Sequence, residues 1–207
     1  MSQNRAISLA ITGASGAAYG LRLLEILIQS GEQVYLMISK PAQVVIATET
    51  DIKLPSGNRE IEKFLSEKYG AVEGQIQLFG QEQWFSPVAS GSNAPRAMVV
   101  CPCSTSSLSS IATGASNSLM ERAADVMIKE QRKLILVPRE TPYSPIHLEH
   151  MLKLSQIGVT ILAASPGFYQ KPESIEDLVD FVVARILDHL DIEHTLMKRW
   201  GSSDQNA

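Results

Sequence analysis

The chain predicts an α/β protein, a Rossmann-like or flavodoxin-like three-layer fold with a mostly parallel sheet. Three observations carry this. Apolar runs of strand length alternate with helical patterns, as they do when crossover helices wrap a parallel sheet. The first such run is followed by a glycine-rich turn, Thr12-Gly13-Ala14-Ser15-Gly16-Ala17-Ala18-Tyr19-Gly20, that opens a helix. The 207 residues are 44% apolar and 19% charged, which suits one domain spanning 1–207 with a sizeable core.

Taken in order, Ala6 to Ile11 is the first strand. Leu21 to Gln29 is the first helix, with Leu23, Leu24, Leu27 and Ile28 spaced for one buried face, and Gly31 ends it. Val34 to Ile38 is a strand. Lys40 to Thr50 is helical despite Pro41, because proline is tolerated in a first turn. Residues 51–96 are polar and rich in Gly, Pro, Ser and Gln, and read as an excursion from the sheet holding a helix at Glu60 to Tyr69 and a short strand at Ile76 to Leu78. Ala97 to Cys101 restarts the sheet, and a hydroxyl-rich segment follows it to Ser118. Met120 to Lys129 is a helix, Leu134 to Val137 a strand, Pro145 to Gln156 a helix and Val159 to Ala163 a strand. Ser174 to Leu190 is a long helix with a Ser174/Asp177 capping pattern, and residues 195–207 form a tail.

Composition narrows the function. A formal net charge of −4 argues against a nucleic-acid groove, which needs clustered cations. No apolar run approaches the ~18 residues that span a bilayer. The polar start, Met1 to Arg5, has no basic n-region, apolar h-region or cleavage site. Cys101 and Cys103 lie one proline apart, too close for an ordinary disulfide and two ligands short of a zinc site. A reducing, cytoplasmic compartment and a small-molecule partner are expected, with neither nucleic acid nor membrane.

Open parallel sheets bind ligands beyond the carboxyl ends of their strands, so the segments after each strand are the places to look. The glycine turn offers N–H groups and a positive helix end to an anion such as a phosphate; its other reading is a tight turn without a ligand. Gly13, Gly16 and Gly20 do not match the dinucleotide spacing, and no Walker lysine follows. The second strand ends Ile38-Ser39-Lys40 instead of on the acidic ribose clamp of a nicotinamide site, which favours a mononucleotide such as FMN. Residues Ser104 to Ser110 place six hydroxyls in seven positions, suited to a phosphate or a flavin edge, or to a serine-rich helix start. Arg139-Glu140 stands between Pro138 and Pro142, as an anion clamp beside an acid or base or as a surface ion pair. Arg122 and Lys129, seven apart, share a helix face that borders something acidic or plain solvent. His147-Leu148-Glu149-His150 lacks the further ligand that zinc requires, and all four histidines fall at position 147 or later.

Gly13-Ala14-Ser15-Gly16, Cys101-Pro102-Cys103-Ser104-Thr105-Ser106, Arg122-Ala123-Ala124-Asp125-Val126 with Lys129-Glu130, and Arg139-Glu140-Thr141-Pro142 with His147-Leu148 together resemble the UbiX family of flavin prenyltransferases. The resemblance continues through Pro166-Gly167-Phe168-Tyr169 and Asp177-Leu178-Val179-Asp180-Phe181, and so runs nearly the whole chain in order. It implies transfer of a dimethylallyl group from dimethylallyl monophosphate to N5 and C6 of reduced FMN, without a metal. The product, prenylated FMN, would serve a UbiD-type decarboxylase, with ubiquinone biosynthesis as the best-known beneficiary. Flavin binding is implied for Gly13, Ala14, Ser15, Ser39, Ser104, Thr105, Ser106, Ser107 and Arg139. The substrate phosphate would meet Lys129, Arg139, Glu140, Tyr169 and Arg185, some of them from a neighbouring subunit of a homo-oligomer, a dodecamer, with Arg122 on the same stripe as Lys129.

Physical chemistry fits those roles. An allylic C–O bond that breaks leaves charge growing on phosphate, which cations and a phenol stabilise. An allyl cation calls for electron-rich faces, which Trp84 and Trp200 could supply, Trp200 as a lid carried by the tail. Glu49 and Glu140 are candidates for the proton lost from the flavin carbon, and the catalytic set becomes Ser15, Glu49, Lys129, Glu140 and Tyr169. Two alternatives stand beside this one. FMN-dependent cysteine decarboxylases use a histidine in the first half of the domain, which is missing here. A non-catalytic flavin carrier would need the glycine turn but not Lys129, Glu140, Tyr169 and Arg185 together.

Overall fold

A computed structural model describes residues 5–197, which divide into two compact units at Ala164/Ser165. The first unit holds six strands: β1 (Ile7–Ile11), β2 (Val34–Ile38), β3 (Ile76–Leu78), β4 (Ala97–Cys103), β5 (Lys133–Pro138) and β6 (Thr160–Ile161). They form one sheet in the order β3-β2-β1-β4-β5-β6, and every pairing is parallel. The expected α/β fold is therefore present, with a sheet parallel throughout. Six helices accompany it: α1 (Ala17–Gln29), α2 (Lys40–Glu49), α3 (Asn58–Tyr69), α4 (Thr105–Thr113), α5 (Leu119–Lys129) and α6 (Pro145–Gln156). The second unit is built on α7 (Ile175–His189), whose Ser174 and Asp177 form the expected capping box.

Side chains alternate across a strand, so the two faces of the sheet carry different helices. Ala10 of β1, and Ala6 just before that strand, join Met98 and Val100 of β4 in a buried cluster with Leu108 and Ile111 of α4, Ala123 and Met127 of α5, and Leu154 of α6. Ile11 and the Cys101 carbonyl face the other way, toward Gly20 of α1. The chain thus begins in the middle of the sheet, winds outward through β2 and β3, and returns across β1 to wind the other way. The order reverses between β1 and β4, and there the segments leaving the two strands run to opposite faces.

Several boundaries differ from the sequence reading for local reasons. Helix α1 starts four residues before Leu21, directly after Gly16, whose φ of 104° turns the chain into the helix. Strand β4 passes through Pro102 to Cys103, and its register with β5 shifts between Val100 and Cys103, the kind of irregularity where a strand tolerates a residue without an N–H. The serine run is a helix start as well: Ser104 caps α4 by accepting from the Ser107 N–H at 3.2 Å. Within the polar excursion, β3 rejoins the sheet as its edge beside β2. Only Thr160 and Ile161 form the β6 ladder, yet Leu162 and Ala164 N–H groups continue along β5 to the Leu136 and Pro138 carbonyls.

Close approach of α1 to the strands depends on Gly20, where an added Cβ would lie 2.4 Å from the Cys101 carbonyl oxygen. Alanine is worth up to about 1 kcal/mol more than glycine inside a helix. Gly20→Ala is nevertheless expected to destabilise the protein by about 1–3 kcal/mol, because the obstructing atom is backbone of a central strand and cannot rotate away. Denaturant titration checks this; a raised midpoint would show that α1 has room to move.

Candidate functional site

The β1/β4 reversal opens a cleft of about 410 Å³ at the carboxyl ends of the first four strands. Gly13 and Ser39 border it from the segments after β1 and β2, and Ser104, Ser106 and Ser107 from the segment after β4. Its apolar side is Ile11, Met37, Ile38, Pro41, Phe79, Leu119 and Met120, and the remainder includes Gly80, Gln81, Asn117, Ser118 and Glu121. Among the described residues, no lysine or arginine lines it. A site of this size with a largely apolar wall and a few convergent hydroxyls suits a planar ring system with a polar appendage.

The hydroxyls are held by bonds that leave particular protons to offer. Ser39 caps α2 by accepting from the Ala42 N–H at 3.2 Å, so its own O–H can donate into the cleft. Ser104 donates to Ser107 Oγ at 3.0 Å, which passes the donor role to the nearly buried Ser107 hydroxyl. Thr105 begins α4, and the amino end of that helix supplies positive dipole without a net charge. Beneath them the buried Thr12 hydroxyl accepts from the Ser104 N–H at 2.8 Å and donates to the Pro102 carbonyl at 2.7 Å, tying the two post-strand segments together.

Beyond Gly13 and Ala14 the turn meets a carboxylate. Glu49, the last residue of α2, accepts from the Gly16 and Ala17 N–H groups at 2.8 and 3.0 Å. The anion that this helix end attracts is the chain's own. Partial burial would raise the Glu49 carboxyl, but the Ser15 hydroxyl, the two N–H groups and the charge of Arg139 outweigh it and hold the group below its usual 4.5. Arg139 donates from Nε to the Ser15 carbonyl at 3.1 Å. Ser15, Glu49 and Arg139 are therefore assembled at one point, although they lie far apart in the chain.

Other expected residues lie elsewhere. Glu140 accepts from the Thr141 N–H at 3.0 Å, and it and Arg139 both act on the nearby Tyr143, whose phenol is pushed up by burial first and by Glu140 second. Arg122 donates to the Ala89 carbonyl at 3.2 Å and pairs with Asp125 at 2.7 Å, while Lys129 pairs with Glu130. The cationic stripe of α5 thus meets its own helix's carboxylates and the Ala89 carbonyl. Because α5 begins at the cleft and runs back toward the start of β5, Lys129 sits near the amino edge of the sheet, away from Arg139 at the carboxyl edge. Trp84 is 43% exposed and does not border the cleft. In the second unit, Tyr169 packs edge-on against Phe181 at 5.6 Å and Arg185 pairs with Asp188. Trp200 lies outside the described residues.

Sequence reasoning passed over the far wall of the cleft. Phe79, Gly80 and Gln81 come from the polar excursion, held by the Leu78 N–H on Glu62 at 2.7 Å and by the Leu119 N–H on the Gln81 carbonyl at 2.9 Å. Asn117 to Glu121 form the capped start of α5, with Glu121 Oε2 accepting from the Asn117 and Ser118 N–H groups. The Ser118/Glu121 capping spacing was the readable signal there; Phe79 had none. Thr12 was readable only as the first residue of the turn. Cys101 and Cys103 are fully buried with thiols pushed up by burial, and His147 is engaged with Ser144 in the α6 cap.

A family model described as Flavoprotein matches residues 1–187. The flavin prenyltransferase UbiX of Pseudomonas aeruginosa is 60% identical over 201 residues, which is 97% of this chain and 96% of that one. A solved structure of AnUbiX in complex with FMN and dimethylallyl pyrophosphate superposes with a TM-score of 0.84 at 37% identity, over 96% of this chain and 98% of that one. A dodecameric FMN-dependent UbiX-like decarboxylase from Escherichia coli O157:H7 superposes with a TM-score of 0.81 at 38% identity, over 94% and 98%.

Two outcomes test this geometry. Thr12→Val keeps the shape but strands the Ser104 N–H and leaves the Pro102 carbonyl with the Thr12 N–H alone, so a loss of about 1–3 kcal/mol is expected by chemical denaturation, together with weaker flavin retention. For Glu49, a folded-state carboxyl below its unfolded value adds stability above that value and loses it as pH falls through the folded one. The excess melting temperature of wild type over Glu49→Gln should therefore be constant above about pH 5 and shrink below it. A difference that grew on acidification would contradict the ionised, N–H-bound carboxylate.

Proposed function

Because the chain belongs to the UbiX family of flavin prenyltransferases, we propose that it transfers a dimethylallyl group from dimethylallyl monophosphate to N5 and C6 of reduced FMN, making prenylated FMN. The observation that carries this reading is the cleft of neutral donors at the strand-order reversal, running directly into the Ser15–Glu49–Arg139 cluster.

The residues present fit FMN. The flavin's phosphate and ribityl chain call for hydroxyl donors and a helix amino end, which Ser39, Ser104, Thr105, Ser106 and Ser107 supply, and its ring calls for apolar walls such as Met37 and Met120. Gly13 and Ala14 would bring backbone close to the ring, and Ser15 and Arg139 would hold its reactive edge. When bound in its reduced form, FMN supplies the electron-rich nitrogen and carbon that accept the prenyl group.

The chain's own side chains handle the rest. As the allylic C–O bond breaks, negative charge moves onto the departing phosphate, and Arg139, Arg185 and the Tyr169 phenol stabilise it. Lys129, and Arg122 on the same face of α5, join that set from a neighbouring subunit; the distance of Lys129 from the carboxyl edge within one chain, and the dodecameric state of the Escherichia coli relative, support this. Trp84 likewise serves a neighbour's site, where its ring face would lie against the allyl group. Glu49, ionised and held by N–H groups, takes the proton that the substituted flavin carbon releases, and Glu140 orders the cations around the phosphate. The product then passes to a UbiD-type decarboxylase, the class of enzyme that uses it, as in ubiquinone biosynthesis.

Anaerobic incubation with reduced FMN and dimethylallyl monophosphate, followed by mass analysis of the bound flavin, should show the flavin heavier by one isoprene unit. Glu49→Gln should bind FMN normally and slow that change by about 10²-fold or more. An unchanged flavin mass in the wild-type protein rejects the proposal.

A further inference from the structure

We infer that Asp188 and His194 are a positioning pair for Arg185, aiming its guanidinium at the substrate's phosphate. The inference rests on the reading above in which Arg185 binds that phosphate, and it adds two residues that the reading does not use.

Phe181, Arg185 and Asp188 share one face of α7, at helical spacings of four and three. Tyr169 packs on Phe181, so the two phosphate ligands of this unit, the phenol and the guanidinium, are carried within about one turn of each other along that face. Arg185 is 48% exposed. A long exposed side chain with several free torsions must be ordered before it can hold an anion, and an i,i+3 carboxylate at the surface orders it only weakly. Asp188 is more than such a partner. One of its oxygens, Oδ2, accepts from Arg185, and the other, Oδ1, is 3.2 Å from His194 Nε2. With a separate partner on each oxygen, the carboxylate plane is set from both sides.

His194 is suited to that task and to little else. Its side chain is only 4% exposed, and its Nδ1 is buried without a hydrogen-bond partner. A carboxylate only accepts, so Nε2 carries the hydrogen of that bond, and Nδ1 is the ring atom left without a partner. A buried, unpaired ring nitrogen is unfavourable, and a phenylalanine would fill similar space without it. What the histidine adds is the Nε2–H bond to Asp188. The planar guanidinium has five N–H donors in fixed directions; with one engaged by an immobilised Asp188, the orientation of the others is determined as well. His194 thereby acts on the substrate through two intermediaries, as a positioning residue and not a catalytic one.

Steady-state prenyl transfer by the full-length FMN-bound protein, with dimethylallyl monophosphate varied, tests this. Arg185→Ala should raise KM for the phosphate substrate. His194→Phe and Asp188→Asn should each raise it by roughly five-fold, with kcat, flavin content and melting temperature little changed. His194→Gln, whose side-chain amide can still donate to Asp188, should restore the wild-type KM. In the double variant Arg185→Ala/His194→Phe the KM should equal that of Arg185→Ala alone, because the pair has nothing left to aim. An unchanged KM in Arg185→Ala would remove Arg185 from the phosphate site and the pair's role with it. A raised KM in Arg185→Ala with no change in Asp188→Asn, or additive effects in the double variant, would overturn the positioning pair while leaving Arg185 as a ligand. If His194→Phe lowers the melting temperature, the Asp188→Asn and His194→Gln results decide.

Discussion

The Thr12 hydroxyl holds together the place where the sheet comes apart. Between β1 and β4 the strand order reverses, and beyond their carboxyl ends the chain departs to α1 on one face and α4 on the other, so the backbone link between the two segments thins to the Thr12 N–H on the Pro102 carbonyl at 3.3 Å. Thr12 spans the gap by accepting from the Ser104 N–H and donating to the Pro102 carbonyl, with its side chain almost entirely buried. Both bonds lie in a low-dielectric setting where an unmade bond is costly. The glycine turn and the serine run, which border the cleft, are thus tied together beside it. Ser104 then caps α4 and orients Ser107, so the donor pattern of the cleft descends from the same contact.

Charge is distributed by location. The cleft is bordered by hydroxyls, amides and apolar groups, with Glu121 tied up in the α5 cap. Ionised groups meet just past it, where Glu49 occupies the amino end of α1 beside Arg139. The Ser15 hydroxyl and the N–H groups of the helix end hold this carboxylate ionised, and the Arg139 charge adds to them. A neutral pocket for the ring system and a charged rim for the leaving phosphate are what prenyl transfer to a flavin requires: the ring must not be repelled, and the phosphate must be held as its charge grows.

The cations of α5 follow from the geometry of a crossover helix. Helix α5 starts at the cleft and ends near the amino edge of β5, so a residue in its last turn faces away from its own chain's site. Lys129, in that last turn, is engaged with Glu130, while Arg122, in the first turn, is engaged with Asp125 and the Ala89 carbonyl.

The sequence by itself determined the alternation of strands and helices, the glycine turn, the serine run and the Arg139-Glu140 segment, because each depends on periodicity or on residues adjacent in the chain. It also identified Glu49 and Ser15 as candidates, through residue chemistry and family resemblance. Tertiary structure alone decided that Glu49 sits on the Gly16 and Ala17 N–H groups, that Phe79 and Gln81 of the polar excursion wall the cleft, and that Thr12 bridges β1 and β4. Those contacts join residues separated by tens of positions, and nothing in local spacing encodes which carboxylate will reach which helix end. His194 lies only six residues beyond Asp188, yet its role comes from burial and from the fold that brings its ring onto that carboxylate, which spacing along the chain does not specify.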